Sequence, residues 1–344
     1  MSESRKFMWL LLISLPVSLI MWLVNAFLST TSGVDVIEPS RWLTAIIMPI
    51  AVARWGLSRR SLSISGAATG LVVGFLLTLS SYVFLVNLLV FFVSSSKATK
   101  FKSEAKKKFE ENFKEGVGVT RNGPFPSVFH SYARQILGGE RNWVQVLCNG
   151  GVASLMAWFY IMDCGCGENP IDMVYNYRCS WLSIAVLGAL ACCNGDTWSS
   201  EFGTVLSTGD PILITSLQPV PRGTNGGVTA IGLLVSLIGG FVIGLGHYLT
   251  LLMFVSTPVL ISSPPQWPIV FVGALGGLLG SLIDSVIGAT MQYSGMDSEG
   301  RIVERPGDGI VPICGSNILD NHAVNLISSL LTAIILPRVA LMVM

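Results

Sequence analysis

The sequence predicts an all-α fold, a polytopic membrane helix bundle of about nine transmembrane helices, built as a single membrane domain over residues 1–344. Three observations predict it. Of the 344 residues 51% are hydrophobic and only 12% are charged, where soluble domains average about 25% charged residues; the mean hydropathy is +0.64. The apolar residues are gathered into runs near the ~20 residues that a bilayer crossing needs. The cations collect at alternate ends of those runs, as the positive-inside rule demands. The net charge of +1 gives no reason to expect nucleic acid, and no motif for it is present. The lipid bilayer is the first expected partner.

Taken in order, Phe7–Leu28 follows Arg5 and Lys6 and is longer than the roughly 7–15-residue core of a signal peptide, so it reads as span one. Trp42–Trp55 is a short second span closed by Arg54, Arg59 and Arg60. Leu62–Leu79 and Tyr82–Val93 are the third and fourth. Residues 94–142 read as one cytoplasmic, lysine-rich basic loop inserted between spans four and five. Trp143–Ile161 is the fifth span, and a link with Asp163, Glu168 and Asp172 leads to the sixth, Trp181–Cys193. Val228–Leu252 crosses back. Met253–Ile261, with Pro258, is expected to be interfacial or half-inserted, because a full crossing would put Arg301 and Arg305 on the wrong side. Pro268–Thr290 returns, Gln292–Leu319 reads as a polar loop, and Ala323–Val339 is the last span.

A cytoplasmic N-terminus places Arg5, Lys6, Arg54, Arg60 and the lysine segment inside. The links around Asp35 and Asp163 then lie outside with Cys164, Cys166 and Cys179; these suit a lumenal disulfide better than a structural zinc site, which wants four ligands, but the sequence does not decide whether they pair. Glycines at four-residue spacing (Gly66, Gly70 and Gly74; Gly240 and Gly244; Gly273 and Gly277) read as close helix packing.

Polar residues interrupt this pattern in four places. Asp196 and Glu201 end the sixth span within Gly195-Asp196-Thr197-Trp198-Ser199-Ser200-Glu201. A carboxylate at a bilayer edge is costly unless it meets a cation, a proton or water, so it marks a site. On a regular helix the two diverge by roughly 140°, unless Gly195 breaks the helix. Asp284 lies inside a span with Ser281 and Ser285 nearby. Asp320, Asn321 and Asn325 open the last span, where Asp320 could equally be a helix cap. Gly223–Gly227 precedes a helix, an arrangement that binds anions through backbone N–H groups, though Asn225-Gly226 could be only a turn. Carboxylates with Asn and Ser oxygens suit a hard cation, Mg²⁺. With an anion cradle and the lysines Lys97 and Lys100, they add up to a phosphoryl-transfer site. Neither a P-loop nor the protein-kinase signature is present.

Six clusters, in order, resemble the transmembrane protein nineteen family, the integral-membrane family that includes the plant phytyl-phosphate kinase. They are Ser95–Lys100, Arg141–Val146, Gly195–Glu201, Gly223–Val228, Asp284–Gln292 and Asp320–Leu326, within a likeness that runs from Arg41 to Pro337. The resemblance implies an isoprenoid-phosphate kinase that transfers a phosphoryl group from CTP or another nucleoside triphosphate to a prenyl monophosphate. The expected site has Asp196, Asp284 and Lys97 as catalytic residues. Lys100, Thr99, Asn225, Gly226, Gly227, Asn321 and Asn325 would bind the nucleotide and phosphates. Asp196, Glu201, Asp284 and Asp320 would hold Mg²⁺, and a lateral groove between helices would take the isoprenoid tail. Asn194, where a small residue is expected, and an insertion over Gly123–Glu140 depart from the family pattern. The expected setting is the endoplasmic reticulum or another endomembrane, with the N-terminus and the site cytoplasmic and a homodimer left open. The rival expectation is a transporter of an ion or a phosphorylated lipid that uses the intramembrane carboxylates.

Overall fold

A computed structural model describes residues 3–32, 36–116, 140–298, 300 and 302–344. Helix α1 (Glu3–Ser32) covers the first apolar run. α2 (Pro39–Ser58) opens on a proline, whose missing N–H costs nothing in a first turn. α3 (Ile64–Ser80) is capped by Ser63, which accepts from Gly66 N at 3.1 Å. α4 runs over Tyr82–Gly116 and α5 over Trp143–Cys164. α5 starts with a reciprocal cap in which Asn142 and Gln145 each bond the other's backbone N–H at 3.0 Å. α6 (Tyr177–Trp198) continues through a π-helical turn, Ser199–Gly203, to Leu206. α7 (Ala230–Phe254) follows a Thr229 cap, the six-residue α8 (Thr257–Ser262) follows α7, and then come α9 (Ile269–Met291) and α10 (Asn321–Ala340).

Among the described residues, six helices are long and apolar enough to cross a membrane: α4, α5, α6 with its extension, α7, α9 and α10. The apolar parts of α1 and α3, Ser14–Thr30 and Ile64–Ser80, are shorter. Six helices among the described residues are therefore candidate spans. The protein is a polytopic helical membrane protein, but not purely α. β1 (Ile212–Leu213) and β2 (Gly227–Val228) pair antiparallel. β3 (Ser294–Met296), β4 (Ile302–Val303) and β5 (Val311–Cys314) form an antiparallel sheet in the order β4-β3-β5, with Gly295 opposite both Val303 and Pro312. The expected polar loop Gln292–Leu319 is thus a small sheet between α9 and α10. The expected basic loop 94–142 also starts differently. α4 does not stop at Val93; it runs to Gly116 and carries Lys97 and Lys100 on helix, while residues 117–139 of that segment lie outside the described ones.

α6 is the axis of the bundle, packed by α4, α5, α7, α9 and α10. Every residue from Leu182 to Gly195 is buried, the pattern of a helix surrounded by protein on all sides. Glycine lets its neighbours come close. A Cβ on Gly195 would sit 2.7 Å from Gly277 Cα, and one on Gly277 would sit 2.8 Å from Gly240 Cα. Backbones of α6, α7 and α9 therefore meet directly, which in a membrane supplies the van der Waals contact that holds helices together. Gly277→Val is expected to destabilise the bundle by about 1–3 kcal/mol through overpacking. A lowered unfolding midpoint in detergent would show it; an unchanged midpoint would mean that the crossing is looser than described.

The helix directions put two different chemistries at the two ends. At one end Cys164 and Cys179 form a disulfide, Cα–Cα 5.8 Å, across the α5–α6 link; Cys166 stays outside it, its thiol pushed up to about 11 by burial while Arg41 pulls the other way. Arg41 meets Glu168 in a bidentate pair at 3.0 and 2.8 Å, and Glu168 also accepts from Tyr82 N at 2.7 Å. α8 lies at this end too, because α7 finishes here and α9 starts here. With six residues it is too short to traverse the bundle. The N-termini of α5, α7 and α10 and the C-termini of α6 and α9 gather at the other end, and the polar clusters lie there.

Candidate functional site

The α6–α9 crossing carries two carboxylates into one space. Asp196 directly follows Gly195, and Asp284 lies one turn beyond Gly280, whose missing Cβ makes room for the side chain of Cys192. Asn194, the departure from the family pattern, is buried and bridges three helices: its Oδ1 accepts from Ser94 Oγ of α4 at 2.8 Å and its Nδ2 donates to Gly239 O of α7 at 2.8 Å. It fixes the helix two residues before Asp196. Asp284 Oδ2 accepts from Ser328 Oγ of α10 at 3.1 Å.

No break occurs at Gly195. The register changes later, in the π turn Ser199–Gly203. A π turn takes more residues per turn than an α-helix, and such turns collect at functional sites. Here it swings Glu201 back, so that Asp196 and Glu201 line the same cavity. Phe202 secures the turn by an edge-on contact with Trp198, centroids 5.5 Å apart, and a tilted one with Phe101 of α4 at 5.4 Å.

Arg141 stands opposite. The sequence alone points to no role for it. Its backbone is stitched to the α2–α3 connection: Arg141 N donates to Ser61 O and Arg141 O accepts from Ser63 N, each at 3.0 Å. Its guanidinium donates to Ser96 Oγ at 2.9 Å and Ser95 Oγ at 3.1 Å, with Phe91 and Phe92 rings 5.9 Å away. Burial pulls its pKa below the ordinary guanidinium value, against the attraction of Glu201. Two of its five donors are committed to hydroxyls, and among the described residues no carboxylate bonds it, so its charge lies on the cavity wall without a bonded carboxylate there. The sequence held two signals for it: its place in the Arg141–Val146 cluster and its position immediately before the Asn142–Gln145 cap of an apolar helix.

The other candidates divide. Thr99, Asn225, Gly226, Gly227, Asn321 and Asn325 line the cavity with Asp196, Glu201 and Asp284. Two N–H groups of the expected backbone anion cradle are engaged within the protein. Asn225 N donates to Ser294 Oγ at 3.0 Å and Gly227 N to Thr224 O at 3.1 Å, and the helix begins only at Ala230. Gly226 sits at φ +77°, pressed against α9 where a Cβ would fall 2.6 Å from Ser285 O. This loop is a glycine-dependent turn, and the Asn225 side chain, its Nδ2 donating to Tyr293 O at 3.3 Å, lines the cavity. Lys97 and Lys100 are exposed and off the cavity wall, Lys100 Nζ donating to Arg59 O at 3.0 Å. Asp320 is exposed and caps α10, accepting from Ala323 N at 2.8 Å. Asp320→Ala is therefore expected to cost about 1 kcal/mol of stability and to leave the cavity's ligand affinities unchanged; a ten-fold loss of affinity would restore it to the site.

Together these walls enclose about 790 Å³ at one end of the bundle. A model of the family described as "Integral membrane protein DUF92" matches residues 47–333. The chain belongs to that family. "Protein PGR" of Arabidopsis thaliana is 38% identical to this DUF92 member over 294 residues, covering 85% of this chain and 94% of its own. An uncharacterized membrane protein of Methanocaldococcus jannaschii is 33% identical over 156 residues, 45% of this chain and 50% of its own. No solved structure matches.

Two properties of the DUF92 cavity bear on what it can hold. The buried Gln292 is on its wall, and its Nε2 has no hydrogen-bond partner among the described residues, which a ligand oxygen would satisfy. Among the described residues no three His, Cys, Asp or Glu side chains converge as a metal cage. Carboxylates from α6 and α9 with amide oxygens around them fit instead the way Mg²⁺ is held beside phosphates, by one or two carboxylates, waters and the phosphates themselves.

Proposed function

We propose that this chain is an isoprenoid-phosphate kinase whose cavity joins a nucleoside triphosphate, with CTP expected, to a prenyl monophosphate. One observation carries the reading: Asp196, Glu201 and Asp284 share a single large polar cavity with the cation Arg141 at one end of an apolar bundle. Carboxylates alone would suit many cations. Carboxylates facing an arginine suit a metal-bound polyphosphate, which needs both signs of charge.

On this reading the terminal oxygen of the prenyl monophosphate attacks the γ-phosphorus of the nucleotide. The new P–O bond forms as the bond to the β-phosphate oxygen breaks, and the nucleoside diphosphate leaves with the electron pair. An ionised phosphate is already a competent nucleophile, so no strong general base is needed. The difficulty is to hold two anions in line. Arg141 offsets their charge, the side-chain amides of Asn225, Asn321, Asn325 and Gln292 orient phosphate oxygens, and Thr99 adds a hydroxyl. Mg²⁺, held through Asp196 and Asp284 with Glu201 beside them, would neutralise the charge that grows between the phosphates. We place α1–α3 across the membrane as well, giving nine spans, with the cavity facing the cytoplasm of an endomembrane. Arg54, Arg59, Arg60 and Lys100 lie at the cavity end, which supports that orientation.

The test is direct. Purified protein given labelled CTP or ATP, Mg²⁺ and phytyl or geranylgeranyl monophosphate is expected to yield the diphosphate. Several acceptors and nucleotides without product would overturn the kinase, and solute flux in proteoliposomes would put a transporter in its place.

A further inference from the structure

Beside the polar cavity lies a second space of the opposite character. Between α2, α3, α4 and α5 runs a cleft of about 70 Å³ with an almost wholly carbon wall, including Val73, Leu85, Leu88 and Phe92. On a scale where one water takes roughly 10–15 Å³, that is the space of a handful of waters, sized for one hydrocarbon segment rather than the paired chains of a diacyl lipid. Water inside would find few partners, so such a space takes an apolar ligand.

The cleft and the cavity share a wall. Arg141 and Gln145 line both. Asn149, on the cleft wall, accepts from Asn325 Nδ2, on the cavity wall, at 3.3 Å. Apolar space thus ends at a cation.

Glycine gives a third observation. The Gly66, Gly70 and Gly74 series reads from sequence as helix packing, but its members differ. A Cβ at Gly74 would meet Pro49 at 3.0 Å, and one at Gly66 would run into the carbonyl of Arg141. At Gly70, a residue of the cleft wall, a Cβ would meet nothing within 4 Å. A mid-helix glycine costs up to about 1 kcal/mol relative to alanine. Packing does not explain it there; its Cβ position opens onto the cleft, so side-chain size at this position is free to change how much of the cleft is filled.

We propose that the α2–α5 cleft receives the hydrocarbon chain of a single-chain phosphorylated lipid whose phosphate lies at Arg141. This rests on the kinase reading above for the identity of the acceptor, and adds where its tail goes and why one chain is selected over two. Hydrocarbon buried in the cleft leaves bilayer for protein at little net cost, so the cleft acts through shape while Arg141 supplies the attraction. Gly70 is the residue that sets how much chain the cleft accepts.

The experiment is photo-crosslinking of the full chain in nanodiscs with geranylgeranyl monophosphate carrying a diazirine in its tail, followed by peptide mapping. Adducts are expected on α3 and α4, around Val73, Leu85 and Leu88. Unlabelled geranylgeranyl monophosphate should compete for them, and phosphatidic acid should not. Gly70→Phe, which fills the cleft, should cut these adducts at least ten-fold, with Gly70→Leu between it and the wild type. Adducts spread over lipid-facing α1 or α9 that persist in Gly70→Phe would overturn the proposal, as would equal competition by phosphatidic acid. The readout needs no turnover. Diphosphate formation with adducts elsewhere would sink the cleft alone, whereas cleft adducts without any product would support the cleft and sink the kinase.

Discussion

Asp196→Asn is expected to lower diphosphate formation by at least about a thousand-fold while the protein folds and inserts as before. The substitution keeps size and shape. It leaves untouched what fixes this part of α6, the Asn194 bridge to Ser94 and Gly239 and the Gly195–Gly277 contact. What it removes is one negative charge at the crossing of α6 and α9. If that charge helps to hold the metal between two phosphates, its loss falls on the transition state, and kcat should fall more than KM rises. Stability should move the other way. A carboxylate at a bilayer edge is a cost in the absence of its cation, so the metal-free variant should unfold at the same temperature as the wild type or higher. A structural carboxylate would give the reverse pair of results: a lower melting temperature and little change in rate. Wild-type turnover in Asp196→Asn would remove the central assignment.

The carboxylates were legible because their cost is written into the sequence. A charge inside an apolar run stands out whatever the fold, and Asp196 and Asp284 were found that way. That they face one another was not legible, since it depends on the glycine contacts of Gly195, Gly277 and Gly280, which from spacing alone say only that helices pack closely. The helix boundaries failed where apolarity stops but helix does not. α4 continues 23 residues past Val93, from Ser94 to Gly116, because alanine, lysine and glutamate are good helix formers in water; hydropathy marks the edge of the membrane, not the end of the helix.

Lys97 and Lys100 suggest a phosphate role from sequence, whereas Arg141, which opens the Arg141–Val146 cluster, suggests none. Lysines in a cluster invite a phosphate-binding role, yet on α4 their side chains point to solvent and to the carbonyl of Arg59. A lone arginine at the mouth of an apolar helix looks like a topology signal. Its importance comes from neighbours 45 and 46 residues away, Ser96 and Ser95, a relation that no local pattern encodes. The π turn at Ser199–Gly203 was hidden for a different reason: Gly195 was the obvious place to change register, but glycine there serves contact with α9, and the change comes at residues able to widen the helix while Phe202 packs against Trp198 and Phe101.

Arg141→Gln is expected to reduce kcat/KM by about a hundred- to a thousand-fold, with a large part of it in KM for the phosphorylated lipid. The guanidinium is the cation that the cavity and the apolar cleft share, and charge-assisted bonds to phosphate run at about 1.5–3 kcal/mol each. Glutamine can still reach Ser95 or Ser96 with one donor, and the backbone ties to Ser61 and Ser63 do not depend on the side chain, so the fold is expected to persist. Arg141→Lys separates charge from shape. A lysine keeps the positive charge but loses the planar fork that can bond both serines and a phosphate at once, and it should recover only part of the loss. Raising the salt concentration should weaken acceptor binding little in the wild type, because a buried cation is screened less than an exposed one. If Arg141→Gln bound and turned over the prenyl phosphate normally, the arginine would be a helix-end anchor, and the positive charge that the phosphates require would have to come from elsewhere, with Arg222 the other arginine on the cavity wall among the described residues.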